Sequence, residues 1–275
     1  MWELLNLSFF RAAIVAAFLA GVCCSIIGVW IVLLKCSLLG VAIAHAAFAG
    51  ALLGILLGKP PMPFAMGFSV LAAALLGPLS DRGNLDPDSS TGVIFSAALG
   101  LAFLFLGLIP DARSVALGFL WGNILLLNRA DILLLGICTI LVVVVTGTFF
   151  RPVQAVIFDR DLAKAVGIPA TIFFYLLLFL SGAGVASCLK SVGGLLVYSL
   201  IINPAAAAYQ ITYSLKKMYL LAALFGIVSG WGGIAASVLL HLPTGATIVL
   251  MSCFVLVIAN IFSPKKKHGR AKKIL

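Results

Sequence analysis

Nine runs of almost unbroken apolar residues set the limits on what this chain can fold into, at about 10–34, 37–58, 62–80, 92–109, 131–150, 170–189, 193–210, 218–240 and 244–262. A helix needs ~20 such residues to cross a bilayer. In lipid only a helix or a closed barrel satisfies its own backbone amides. The runs are continuously apolar, not alternating, which excludes the dyad pattern of a membrane barrel. Only 9% of the 275 residues are charged and 63% are hydrophobic. A soluble domain carries roughly a quarter charged residues. The expected fold is therefore all-α, a polytopic bundle of about eight or nine transmembrane helices. One further apolar piece, Val115 to Leu127, is short for a span and holds Gly118, Gly122 and Asn123. Its expected form is a re-entrant or tilted segment buried against protein.

The net charge of +10 is unevenly placed. Six of the eighteen basic residues fall in the last eleven positions: Lys265, Lys266, Lys267, Arg270, Lys272 and Lys273. A basic cluster just beyond a membrane helix reads as a cytoplasmic anchor held by anionic lipid, not as a nucleic-acid interface. The expected organisation is a transmembrane domain over 1–263 and a basic cytoplasmic tail over 264–275. Counting back through nine spans puts Lys35, Arg82, Arg151, Arg160, Lys164, Lys216, Lys217 and the tail on the cytoplasmic side. Arg11, Lys59, Arg113, Arg129 and Lys190 fall on the other. Thirteen against five satisfies the positive-inside rule and places the N-terminus outside. Glu3 precedes the first run and no basic n-region does, so no cleavable signal peptide is expected.

Several function classes are excluded by what the runs lack. No GxxxxGK[ST] stretch occurs, so the chain does not itself hydrolyse ATP. None of the eight acidic residues sits in the middle of a run, where a proton or sodium relay would need one. That argues against a channel or secondary carrier acting alone. A polytopic enzyme would need His, Asp or Cys clustered at one depth, and the three histidines are far apart. The six cysteines form no CxxC pair, and most read as small buried hydrophobes. An active transporter of this composition takes its energy from a partner.

Phe158 to Pro169, FDRDLAKAVGIP, is a charged, helix-competent island between two long apolar runs. Phe158, Leu162, Ala165 and Val166 repeat at helical spacing, with Asp159, Arg160, Asp161 and Lys164 on the other face. Gly167 and Pro169 stop the helix, and the acids near its start suit the helix dipole. Two readings are open on these residues: an amphipathic turn lying on the membrane surface, or a coupling helix that fits a groove on an ATPase.

The island resembles the coupling region of the membrane subunit of ABC importers for zinc, manganese or iron, where Phe-Asp-Pro-Glu is followed by Ala and Gly-Leu/Ile-Pro. Ile27 to Gly54 is similar to that family's first two spans, and DSSTGVIFSAALGL, Asp88 to Leu101, to its acidic-then-Gly-x-x-Phe-Ser segment. LWGNIL from Leu120, SVGGLLVYSLIINPAAAA from Ser191 and LPTGATIVL from Leu242 resemble further elements in the same order. The resemblance implies a permease that forms the translocation pathway by alternating access in a prokaryotic plasma (inner) membrane. It implies a cytoplasmic ATP-binding subunit dimer, an extracytoplasmic metal-binding protein and a second permease copy or paralogue. Phe158, Asp159, Asp161, Ala165 and Gly167 become the coupling residues. No cofactor is expected to be bound permanently; the zinc, manganese or iron would be cargo. A metal chelate is the alternative cargo.

In that family the second span carries an Asp four residues before a His, one helical turn apart on one face. Here the His is His45, and the Asp position is Val41. His45 is the first candidate for the pathway. Asn203 beside the helix-breaking Pro204, Ser199 and Cys188 are further candidates. The competing reading of Asn203 is an interhelical hydrogen bond. Lys190 is expected to meet an acidic partner surface or to favour a chelate over a bare ion. His241 falls at the outer end of its span and reads as a surface residue; His268, among the tail lysines, has no metal role.

Overall fold

The computed structural model describes residues 8–36, 38–83, 86–109, 118–120, 122, 127–194 and 196–265. All the regular structure among them is helical: α1 Ser8–Leu33, α2 Leu39–Leu56, α3 Pro61–Gly83, α4 Pro87–Leu108, α5 Arg129–Thr148, α6 Phe150–Phe158, α7 Arg160–Ala165, α8 Ala170–Val192, α9 Val197–Ile211, α10 Leu215–Leu240 and α11 Thr244–Ile261. Eight of these are long and apolar enough to cross a membrane. The run expected at 193–210 becomes α9, only 15 residues. At 1.5 Å per residue it is about 22 Å long, short of the ~30 Å hydrocarbon core. Gly193, at φ 97°, ends α8, and the chain turns through Gly194 before α9 begins.

α1, α2 and α8 form the buried centre, and α4, α5 and α11 are mostly exposed on the outside. α1 packs against α10, α9 and α5; α2 packs against α3 and α4. Small residues permit the close crossings, which in lipid are held by packing and not by water exclusion. Gly21 meets Gly226 across α1 and α10, and Ala17 meets Gly230 one turn further.

These contacts fix the relative directions. α1 runs opposite to α10, and α10 opposite to α11, where Gly233 lies on Ile248. α9 runs with α11: Asn203 reaches Ser252 and Ser263 reaches the carbonyl of Gln210. α5 runs with α1, and α8 runs against α5, since Lys190 near the end of α8 reaches Asp131 near the start of α5. One end of the bundle therefore carries Lys35, Arg151, Arg160, Lys164, Lys216, Lys217 and Lys265. The opposite end carries Arg11, Lys59, Arg129 and Lys190. These residues divide between the two ends as charge counting expects; the Arg82 side chain, Arg113 and 266–275 lie outside what the structure describes.

The segment between α4 and α5 begins and ends at the same side of the bundle. Phe119 within it is buried, and its carbonyl accepts a 3.0 Å hydrogen bond from the Gly194 amide. Gly122 presses on the backbone of Val192 and Gly193. Phe119 is thus packed against the end of α8, with Leu120 and Gly122 half-buried and Gly118 exposed. The other residues of Val115 to Leu127, including Asn123, lie outside the described residues.

Candidate functional site

The charged island holds one short helix, α7, and a second helix, α6, leads into it and ends at its first residue, Phe158. α5 cannot continue through Pro152, which has no amide proton to give residue 148. The chain bends at Phe149 (φ −101°, ψ 31°), and α6 starts with Pro152 in its first turn. Val153, Val156 and Ile157 face the bundle and are buried. Sequence reading missed α6 because its apolar residues fuse with the preceding run; Pro152 and the Val153/Val156/Ile157 spacing were the available signals.

Asp159 separates α6 from α7 at φ −158° and ψ 111°. Its carboxylate accepts from the amides of Asp161 and Leu162 at 3.0 and 2.9 Å, so it acts as an N-cap and not as a face residue. Asp161 is fully exposed and pairs with Lys164 at 2.9 Å, which holds its carboxyl below the usual range. α7 ends in a Schellman turn. The Ile168 amide bonds the Ala163 carbonyl and the Gly167 amide bonds that of Lys164, both at 3.0 Å. Gly167 takes φ +83°, where any side chain would be strained.

This short element is held to the bundle from below. Ala163 is buried, and the Arg160 guanidinium lies 4.3 Å over the Phe174 ring of α8. Besides the exposed Asp161–Lys164 pair, it turns large apolar side chains outward. Phe158 is 67% exposed, Leu162 64% and Val166 72%. Ala165 and Gly167 are exposed beside them. Phe158 at the end of α6, Leu162 within α7 and Val166 at its C-cap thus leave three large apolar side chains exposed at the basic end of the bundle.

The pathway candidates lie on α2, α8 and α9. His45 is half-buried on α2; its Nδ1 lies 3.0 Å from the Val41 carbonyl, and its ring meets Phe95 of α4 edge-on at 5.1 Å. Asn203 donates to Ser252 Oγ at 2.9 Å and to Cys253 Sγ at 3.2 Å, an interhelical bond between α9 and α11. Ser199 is half-buried in the first turn of α9. Cys188 is wholly buried, with Cys24 Sγ 3.4 Å away, at the contact of α1 with α8. No group of three or more His, Cys, Asp or Glu side chains among the described residues is placed to hold a metal ion.

Lys190 does not present itself to a partner's acidic surface. It is bonded to Asp131 at 2.7 Å. Asp131 also closes a capping box: the Asn128 side chain accepts from the Asp131 amide, and the Asp131 carboxylate accepts from the Asn128 amide. One carboxylate thus ties the start of α5 to the end of α8, opposite the α6–α7 element that joins their other ends. Because Lys190 is a third exposed, Lys190→Ala is expected to cost about 1–2 kcal/mol, less than a fully buried pair. Asp131→Ala, which also breaks the cap, is expected to cost more. Thermal unfolding of the purified protein checks the order. Equal melting of Lys190→Ala and wild type would contradict a stabilising tie.

The ABC 3 transport family model matches residues 6–263. The manganese transport system membrane protein MntC of Halalkalibacterium halodurans is 34% identical over 281 residues, covering 98% of this chain and 94% of the relative. MntC of Listeria monocytogenes is 30% identical over 270 residues, covering 98% and 96%. Among solved structures, PsaBC from Streptococcus pneumoniae in complex with Fab superposes with a TM-score of 0.86 at 28% identity, covering 98% of this chain and 97% of that one. A putative metal-chelate type ABC transporter in an inward-facing conformation, with a TM-score of 0.75 and 17% identity over 91% and 85%, shares the fold. The family match takes in all the described helices, and the chain therefore belongs to the ABC 3 transport family, as a transporter permease subunit and not an enzyme.

Proposed function

We propose that this permease carries a divalent transition metal into the cell, manganese first among manganese, zinc and iron, driven by a separate ATP-binding subunit dimer. The exposed apolar triad of Phe158, Leu162 and Val166 supports this reading most strongly. A rigid apolar knob in water is costly unless a soluble partner covers it, and a subunit without an ATP-binding motif needs such a partner to work uphill. The end bearing the triad and Lys265 then faces the cytoplasm of a prokaryotic plasma (inner) membrane. A metal-binding protein delivers cargo at the other end. Two permease subunits, copies or paralogues, form the route along their shared face and alternate its access. Manganese stands first because the relatives at 34% and 30% identity carry it in their names.

His45 stands on the route in this reading. One imidazole holds a metal weakly, and weak transit sites let an ion leave. Further ligands come from the second subunit or the cargo's own water. A chelate importer is the second reading, and Val41 favours it because an apolar residue replaces the family's carboxylate. Lys190 no longer supports it, since its charge is taken by Asp131.

Cells lacking the protein, complemented with wild type or His45→Ala, separate these readings through uptake of manganese, zinc, iron and a chelated metal. The expected result is a manganese deficit restored by wild type and reduced roughly tenfold or more in the variant. Restoration only by chelated metal would favour the second reading. Uptake unaffected by loss of the ATP-binding subunit would remove the ABC mechanism.

A further inference from the structure

A cleft on the lipid-facing surface of the bundle, between α1, α5, α6 and α10, is lined by none of the pathway candidates and none of the apolar triad. It measures about 760 Å³, within the ~300–1,000 Å³ typical of small-molecule clefts. Its walls within the membrane are apolar: Val22 and Ile26 of α1, Val143 of α5, Leu220 of α10. The Thr146 hydroxyl in the wall is already committed to the Val142 carbonyl at 2.6 Å.

The polar part lies at one end. Arg151 follows the last turn of α5 by three residues, and Lys216 is the second residue of α10. Both are exposed, and both line the cleft. The Lys216 ammonium sits 5.5 Å over the Phe150 ring, which aims it along the cleft rim. Lys217 lines the adjoining groove with Lys216, Leu220 and Leu221. Among the described residues no acidic side chain lines either hollow. At the ends of membrane-crossing helices, the cations stand at headgroup depth and the apolar walls at acyl depth.

We infer that this cleft binds an anionic diacyl phospholipid, with an acyl chain between α1, α5 and α10 and its phosphate between Arg151 and Lys216. Cationic pockets between membrane helices select anionic headgroups because the lipid phosphate is met by fixed positive charge. A zwitterionic lipid offers the same phosphate but brings its own ammonium into the same rim. The apolar walls distinguish a lipid from free phosphate. The bound lipid bridges Phe150 and Arg151 at the start of α6 to α1 and α10, and so braces the base of the α6–α7 element. The binding itself does not depend on which cargo the permease carries.

The full-length subunit, purified with its permease partner in nonionic detergent, is titrated with phosphatidylglycerol and with phosphatidylcholine of the same chains. Lipid adducts are counted by native mass spectrometry. The expected result is tighter binding of phosphatidylglycerol, weakened roughly tenfold by R151Q with K216Q. Lys35→Gln, on the same side but outside the cleft, is expected to leave binding unchanged. Val143→Trp fills the wall without touching a charge and is expected to block both lipids. Equal binding of the two lipids by the wild type, or wild-type phosphatidylglycerol binding by Val143→Trp, overturns the inference.

Discussion

Leu162→Glu is expected to lower metal uptake roughly a hundredfold while the subunit remains folded in the membrane. Leu162 is 64% exposed and faces away from the bundle, so a carboxylate there meets water and leaves the fold intact. Covered by a partner, the same carboxylate is desolvated without a counter-charge, and the interface fails. Phe158→Ala and Val166→Ala act in the same direction with smaller effect, since each removes apolar contact without adding charge. Asp159→Ala works differently. It removes two amide hydrogen bonds at the start of α7, costing about 1 kcal/mol, and loosens the element that presents Leu162. Gly167→Ala meets open space but holds φ +83°, so about 1–2 kcal/mol of strain falls on the turn that ends α7. Uptake together with ATP hydrolysis by the assembled complex measures the set. Normal uptake by Leu162→Glu would remove α7 from the transmission of force.

Gly28→Val is expected to deplete the protein from the membrane fraction altogether. A Cβ at Gly28 would meet the Ile201 carbonyl and the Ala205 methyl of α9. The nearest atoms are backbone, which cannot rotate away. α1 and α9 must separate, and α9 is also held to α11 through Asn203 and Ser252. Overpacking a close crossing costs ~1–3 kcal/mol, and more where a backbone must move. Gly147→Val is the matched control, since nothing lies within 4 Å of a Cβ at that position. Membrane levels by immunoblot and the melting temperature of the purified protein report the outcome. Wild-type levels of Gly28→Val would show that the α1–α9 crossing adapts.

Eight of the nine expected spans were legible because bilayer thickness sets one length that apolar runs must match, while the run at 193–210 shortens to α9. The division of basic residues between the two ends was legible for the same reason, since it depends only on the parity of crossings. The boundary between α5 and α6 was not. Hydropathy carries straight through Phe149 and Phe150, and only the missing amide of Pro152 marks the bend. FDRDLAKAVGIP was readable as an exposed helical element between spans, but Asp159 as its cap was not, because capping depends on the backbone breaking at that residue. His45 could be singled out by type, yet its nearest partner is the Val41 carbonyl, a backbone atom common to every residue. The Asp131–Lys190 pair joins residues 59 apart and Cys24–Cys188 residues 164 apart. No periodicity connects such positions; only packing of the helices brings them together.

The account rests on uphill metal movement through this subunit, driven by ATP on the side that bears Phe158, Leu162 and Val166. The most direct test reconstitutes the permease with its ATP-binding and metal-binding partners in liposomes. Accumulation of manganese is then followed with ATP supplied on one side or the other. The account predicts accumulation against the gradient only when hydrolysable ATP is on the side of α6 and α7, and none with Leu162→Glu. Manganese that merely equilibrates, with or without ATP, would contradict it.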